Sequence, residues 1–433
     1  MQWSNWSASV TCQPMVIRYP QSLDEIVAIV NECRQQGRGL RVVGSGHSFT
    51  PLVATDGVLI SLDHYSGLEQ IDVAAGTATV RGGTKIKALG TLLSRHGLAQ
   101  ENLGDIDAQS IAGAISTGTH GTGLTLGSIS TQVIGMTLVT GQGEVLVCSE
   151  HERPEILRAA QVSLGALGII ASVTLRLVPA YRLEYVWRRE NLGLCLEQLG
   201  HNTAANRNFE FYWLPHTDKV MTKRMNISQQ AAHSQLRHTL RHYQELVLEN
   251  SVLWLISEVC RHFPTATPAA SGLIASLVSS GMDINDSHKI FATPRLVRFQ
   301  EMEYSLPLEN LAVALEAIDR CIRRRRFQVH FPLECRVVRG DDIDLSPAAG
   351  RDSAYIAAHM YKGMAYHEYF AALEDILRSY GGRPHWGKLH SLTARELAPL
   401  YPRWEHFQAV RASLDPAGLL LNPYLRRILG VGA

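Results

Sequence analysis

The chain has 433 residues, of which 45% are hydrophobic and 19% charged, with a formal net charge of +1. This composition supports a large core and excludes a disordered chain, and the near-neutral balance excludes nucleic acid as the main partner. Seven cysteines (Cys12, Cys33, Cys148, Cys195, Cys260, Cys321 and Cys335) lie scattered without a Cys-x-x-Cys pair, which disfavours a disulfide framework or zinc site and points to a reducing cytoplasm.

Residues 1–12 are polar and aromatic with no apolar run, so no signal peptide is expected, and 3–11 reads as a polar lead-in. Ser22 with Glu25 three residues on forms a capping box for a helix that Gly37 stops. A strand over 40–43 follows and ends at Gly44-Ser45-Gly46-His47. A strand over 57–62, a hairpin over 68–72 and 77–81, and a helix over 85–96 come next. A small-residue helix over 110–117 leads into Thr117-Gly118-Thr119-His120-Gly121. Strands over 133–139 and 144–148, a helix over 157–163 and a strand over 171–178 close the first part, with Pro179 as a boundary. Beyond it lie an aromatic strand over 209–214, helices over 229–280, a strand over 299–305 and a helix over 308–325. Strands over 329–338 and 355–361 and a short return segment over 414–429 complete an α+β pattern with an antiparallel sheet. No apolar stretch is long enough to span a bilayer; a surface helix within 250–278 is the segment that could contact lipid. The run Arg323 to Arg326 reads as a solvated helix end, with a phosphate or membrane patch as the alternative.

The glycines at 44 and 46 allow close backbone approach, and successive N–H groups in such a turn form an anion nest suited to a diphosphate. With the second glycine- and hydroxyl-rich stretch at 116–123, they suggest a large phosphate-bearing cofactor across both. A dinucleotide Rossmann motif is ruled out because His-Ser-Phe-Thr-Pro after Gly46 cannot start the required helix. A Walker loop is absent, and His385 and His390 are not spaced as a zinc pair. Glu334 and Arg336 share one face of a strand; they suit hydroxyl binding, one accepting and the other donating, and equally suit a structural ion pair. His359 reads as a core histidine when taken alone. His385 and Lys388 lie in a loop dense in reactive side chains, where a lysine near a flavin would stabilise developing negative charge.

Together, Val43 to Phe49, Asn102 to Ile106, Ser116 to Gly123, Phe299 to Tyr304, Glu334-x-Arg336, His385 to Lys388 and Leu421 to Tyr424 resemble a known family. It is the sugar-1,4-lactone branch of the vanillyl-alcohol-oxidase-type flavoproteins, with the related alditol oxidases. The resemblance implies an FAD-binding domain over 1–178, a cap domain with an antiparallel sheet over 179–410, and a C-terminal return over 411–433. It implies that Val42, Val43, Gly44, Ser45, Gly46, His47 and Ser48 cradle the diphosphate, and that His47 attaches FAD covalently. Ser110, Gly113, Thr117, Gly118, Thr119, His120 and His385 would face the flavin, and Ile169 or Ile170 its adenine end. Lys388, Arg336 and Glu334 would be catalytic, with Asp105 and His359 binding substrate. Asp105 stands where alditol oxidases have a serine, which favours a lactone over a linear polyol. Gly104 stands where related dehydrogenases have an oxygen-shielding alanine, which favours an oxidase. The implied reaction oxidises an L-gulono-, L-galactono- or D-arabinono-1,4-lactone at C2 to an ascorbate-like enediol, with O2 reduced to H2O2. An alditol oxidase, a lactone dehydrogenase using another acceptor, and a flavin-binding protein without turnover are the other readings.

Overall fold

The computed structural model describes residues 2–233, 250–292 and 296–432. Strand β1 (Val16–Arg18) leads to helix α1 (Leu23–Gln35), where the Ser22 hydroxyl accepts from the Glu25 N–H. Its buried stripe of Ile26, Ile29, Val30 and Cys33 packs on β2 (Leu40–Val43) and β3 (Val58–Ser61). These strands form a parallel sheet ordered β1-β3-β2. Gly37, at φ +61°, reverses the chain between α1 and β2, a conformation that favours glycine.

A second, antiparallel sheet runs β7-β6-β8-β5-β4. Its members are β4 (Leu68–Asp72), β5 (Thr77–Arg81), β6 (Val133–Val139), β7 (Val145–Ser149) and β8 (Ile169–Arg176). Helices α2 (Ile86–Ser94), α3 (Ile111–Ser116) and α4 (Pro154–Ala160) contribute to the same core.

The rest of the chain is built on an eight-stranded sheet, ordered β12-β9-β11-β10-β14-β15-β13-β16 among the described residues. Its strands are β9 (Arg182–Asn191), β10 (Asn208–Trp213), β11 (Lys219–Ser228), β12 (Gly281–Asp286), β13 (Phe299–Pro307), β14 (Leu333–Val338), β15 (Ser353–Tyr361) and β16 (Arg383–Pro384). Every named pairing in it is antiparallel. Period-two alternation splits its side chains between two faces. Phe209, Phe211, Trp213, Met302, Tyr304, Leu333, Cys335, Ile356 and Ala358 pack with helices α7 (Leu311–Arg325) and α8 (His367–Ser379). The opposite face carries Glu210, Tyr212, Glu301, Glu303, Glu334, Arg336 and His359. Register sets them side by side: Glu210 opposes Arg336, Tyr212 opposes Glu334, and Glu301 opposes His359. This buried polar face forms one side of the site.

Several segments differ from the sequence expectation. Residues 3–11 are not merely a lead-in: Trp3–Ser4 pairs with Thr11–Cys12 in a hairpin. Within 229–280, α5 (Asn250–His262) and α6 (Thr267–Leu277) are helical, 229–233 are not, and 234–249 lie outside the described residues. The strand expected from 329 starts at Leu333, because Pro332 has no N–H to give a sheet ladder. The strand expected over 171–178 runs instead as Ile169–Arg176, followed by a two-residue strand, Val178–Pro179. Helix α9 (Trp404–Leu414) and helix α10 (Pro423–Leu429), the latter capped by Asn422, follow towards the C-terminus. Among the described residues no helix is long and apolar enough to cross a membrane.

Candidate active site

The site begins where β2 ends. Buried Arg41 anchors that strand by donating to the carbonyls of Leu52 (2.9 Å), Leu164 (2.8 Å) and Gly165 (2.8 Å), and to that of Leu420. Burial pulls its pKa down to about 10. The chain then turns through Gly44 to Ser48 against the N-terminus of α3, where the Ser110 hydroxyl accepts from the Gly113 N–H. Contact is close: a Cβ on Gly44 would lie 2.3 Å from Ser110 Oγ. Gly44→Ala is therefore expected to cost about 1–3 kcal/mol of stability, checked by denaturant unfolding.

Val42 to Ser48, with Ser110, Gly113, Thr117, Ile169 and Ile170, line an open cleft. No described residue accepts from the N–H groups of Ser45, Gly46, His47 or Ser48. Gln109 Oε1 is buried without a hydrogen-bond partner while its Nε2 donates to Thr119 Oγ1 at 3.2 Å. Successive free amides at a glycine turn, a capped helix N-terminus and an unpaired buried amide oxygen fit a large cofactor bearing phosphates and ring donors. FAD meets that description.

Four of the lining residues, His47, Ser48, Gln109 and Thr117, also border a second cavity. The two cavities therefore adjoin at His47. Burial first, then Lys388 and Lys85, pushes the His47 pKa down to about 4, so its imidazole is neutral near pH 7. The second cavity gathers Gly104, Asp105, Thr119, His120, Glu301, Glu303, Glu334, Arg336, His359, His385 and Lys388. Of the residues expected from sequence, Gly118 lines neither cavity; a Cβ there would meet Pro347 at 3.4 Å.

Two polar clusters occupy this cavity. In one, Lys388 Nζ lies 2.5 Å from Glu301 Oε2, and His359 Nε2 lies 3.5 Å from Glu301 Oε1. His359 Nδ1 faces the Pro332 carbonyl at 3.0 Å, which fixes the proton on that nitrogen. Burial alone would raise the Glu301 pKa; Lys388 and His359 outweigh it and hold the carboxyl at about 2. Lys388 also stands over the Phe49 ring at 5.2 Å. In the other cluster, Arg336 donates to Glu210 (2.8 Å), pairs with Asp105 (2.9 Å) and contacts Glu334. Tyr212 OH lies 2.7 Å from Glu334 and 2.9 Å from Asp105. Lys223 sits behind, 2.9 Å from Glu210 and 4.5 Å from the Tyr212 ring centre. Asp105, Glu210 and Glu334 bring carboxylate oxygens within 4.8 Å of one another, and the two basic side chains supply the counter-charge.

His120 also lines this cavity: its Nδ1 lies 2.8 Å from the Gly121 carbonyl and its Nε2 lies 3.1 Å from Glu303. Burial opposes a charged Glu303, but His120 outweighs it and keeps the carboxyl well below its usual range. His385 Nδ1 accepts from the Gly387 N–H, so its proton sits on Nε2, and burial lowers its pKa to about 4. Glu210, Tyr212, Lys223, Glu301 and Glu303 were not singled out from sequence. Alternation on strands over 209–214 and 299–305 was the available signal for all of them except Lys223.

A family model described as D-arabinono-1,4-lactone oxidase matches residues 173–428, and one described as FAD binding domain matches 14–149. L-gulono-1,4-lactone dehydrogenase of Mycobacterium tuberculosis is 42% identical over 431 residues, covering 99% of each chain. L-gulonolactone oxidase of Bos taurus is 32% identical, covering 99% of this chain and 98% of its own. D-arabinono-1,4-lactone oxidase of Eremothecium gossypii is 31% identical over 89% of this chain and 83% of its own. Among solved structures, cholesterol oxidase from B. sterolicum superposes with a TM-score of 0.85 at 18% identity, covering 99% of this chain and 96% of that one, and so shares the fold. The chain thus belongs to the aldonolactone oxidase and dehydrogenase family, FAD oxidoreductases with the vanillyl-alcohol-oxidase-type fold.

Proposed function

We propose that the protein oxidises an aldono-1,4-lactone of the L-gulono, L-galactono or D-arabinono type at its C2 hydroxyl and passes the electrons to dioxygen. The observation that carries this reading is the junction of two cavities at His47, one with a glycine-turn cradle and the other lined by two clusters suited to hydroxyl groups. FAD, when bound, supplies the two-electron oxidation of the substrate carbon. Lys388, paired with Glu301, donates to the reacting oxygen and stabilises its developing negative charge. Arg336 donates to the remaining oxygens, and Glu334 and Asp105 accept from hydroxyls. Glu334 takes up the proton lost from the C2 hydroxyl. The 2-keto lactone then tautomerises to the enediol, and dioxygen leaves as hydrogen peroxide.

The neutral His47 imidazole keeps a nucleophilic nitrogen, which supports covalent attachment of FAD. Gly104 supports oxygen as the acceptor, since the cavity wall carries no methyl there. A Cβ at 104 would lie 3.0 Å from the His120 carbonyl and 3.4 Å from Thr119 Cγ2. Gly104→Ala should therefore slow reoxidation of the reduced enzyme in air by a larger factor than it slows lactone-driven reduction. Equal reoxidation rates would remove Gly104 from oxygen access.

Turnover tests the whole reading. In air, L-gulono-1,4-lactone should be consumed with equimolar peroxide, and faster than xylitol. A higher rate on xylitol would make the protein an alditol oxidase. Lactone turnover that requires an added acceptor and yields no peroxide would make it a dehydrogenase, as the M. tuberculosis relative is named.

A further inference from the structure

We propose that the N-terminal hairpin is a clasp on the cofactor turn, with Trp6 a positioning residue that fixes the His47 ring where the two cavities meet. This rests on the FAD reading of the cleft. The hairpin grips three consecutive residues of the turn. The Trp6 N–H donates to the Gly46 carbonyl at 2.8 Å, and Asn5 Nδ2 donates to the Ser48 carbonyl at 3.0 Å. Between them, the Trp6 ring stacks on the His47 imidazole, with centroids 5.8 Å apart and planes at 27°. Trp3 closes the outside: a Cβ on Gly46 would lie 3.2 Å from its ring.

The clasp is itself rigid. Asn5 is only 5% exposed, and its Oδ1 accepts from the N–H groups of Ser9 and Val10, each at 3.0 Å. On its far side Trp6 meets Phe299 edge-on at 5.3 Å and Phe49 at 6.3 Å. Phe299 in turn meets His359 edge-on at 5.0 Å. Trp6 is thus wedged between the glycine turn and β13 of the large sheet. The turn has no helix or strand of its own at 44–48, so its side-chain orientation depends on what packs against it. The charged groups acting on His47 are Lys388 and Lys85, which with burial favour the neutral ring.

The test compares full-length Trp6→Ala, Trp6→Leu and Trp6→Phe with wild type as purified. Two readouts are taken. One is the imidazole resonance of His47 followed across about pH 5 to 8 by NMR of histidine-labelled protein, assigned with His47→Gln. The other is the share of flavin that stays with the chain after denaturation or, if none does, the flavin dissociation constant. Wild type and Trp6→Phe should show no His47 titration in that range. Trp6→Ala and Trp6→Leu should bring the His47 titration up into that range, and should lose flavin attachment or affinity by at least about tenfold. Trp6→Leu keeps the bulk without the ring, so a folded Trp6→Leu protein decides the matter if Trp6→Ala does not fold. Variants that match wild type in both readouts would overturn the clasp. A wild type without any flavin would instead sink the cofactor reading, and the His47 titration would still decide the clasp.

Discussion

Lys388→Met is expected to slow lactone-driven flavin reduction by about 10²–10³-fold, the scale of losing one preorganised electrostatic group, while FAD stays bound. Methionine keeps the length of the side chain and removes its charge. Lys388 borders only the substrate cavity, so the residues lining the cofactor cleft keep their side chains, and His47 alone among them loses a nearby positive charge. Stopped-flow reduction against flavin absorbance separates the two effects. Near-normal reduction would take Lys388 out of the mechanism. The same variant deprives Glu301 of its nearest cation. In wild type the Glu301 carboxyl sits at about 2 against an ordinary 4.5, so its ion pair stabilises the fold fully above about pH 4.5 and ceases to do so as pH falls towards 2. The stability gap between wild type and Lys388→Met should therefore be widest near neutrality and close on acidification.

Lys223→Met is expected to cost about 1–3 kcal/mol of stability, because it removes one of the two cations that pair the buried Glu210 carboxylate. The Lys223 and Glu210 side chains are both almost wholly buried, at 8% and 2% exposure, and meet at 2.9 Å. Burial alone would lower the Lys223 pKa, yet Glu210, followed by Tyr212, outweighs it and raises the lysine pKa well above normal. Arg336 still contacts Asp105, Glu210 and Glu334 once the lysine is gone. Denaturant unfolding should show the loss, and Lys223→Met with Glu210→Gln should recover part of it, since the pair is then removed together. A single variant as stable as wild type would mean the pair carries no net weight.

The legible parts of this molecule were those whose signal is local. Gly44 to Ser48 announces a turn within five residues, and Ser22 with Glu25 marks the start of a helix within four. Glu334 and Arg336 stand two apart on one strand, so their common face could be read directly. Glu210 and Tyr212 oppose them from a strand more than 120 residues earlier, and only the register brings them together. Glu301 and Glu303 lay inside a recognised segment, but nothing in Phe-Gln-Glu-Met-Glu-Tyr says that Lys388 and His120 supply their partners. Lys223 was hidden further. Its strand, Lys219–Ser228, buries Val220, Thr222, Lys223 and Met225 with no clean alternation, so neither the strand nor its buried cation stood out. The neighbouring strands β9 and β12 were missed for a related reason, since each mixes charged and apolar residues at the sheet's outer end. The hairpin around Trp6 has strands of two residues, too short for any periodicity to register.

An anaerobic titration with L-gulono-1,4-lactone, followed at the flavin band, tests the central claim most directly. The purified protein should be yellow, bleach stoichiometrically with the lactone, and regain its colour on admission of air. A flavin that stays oxidised with every aldonolactone would contradict the account, whatever its rate with alditols.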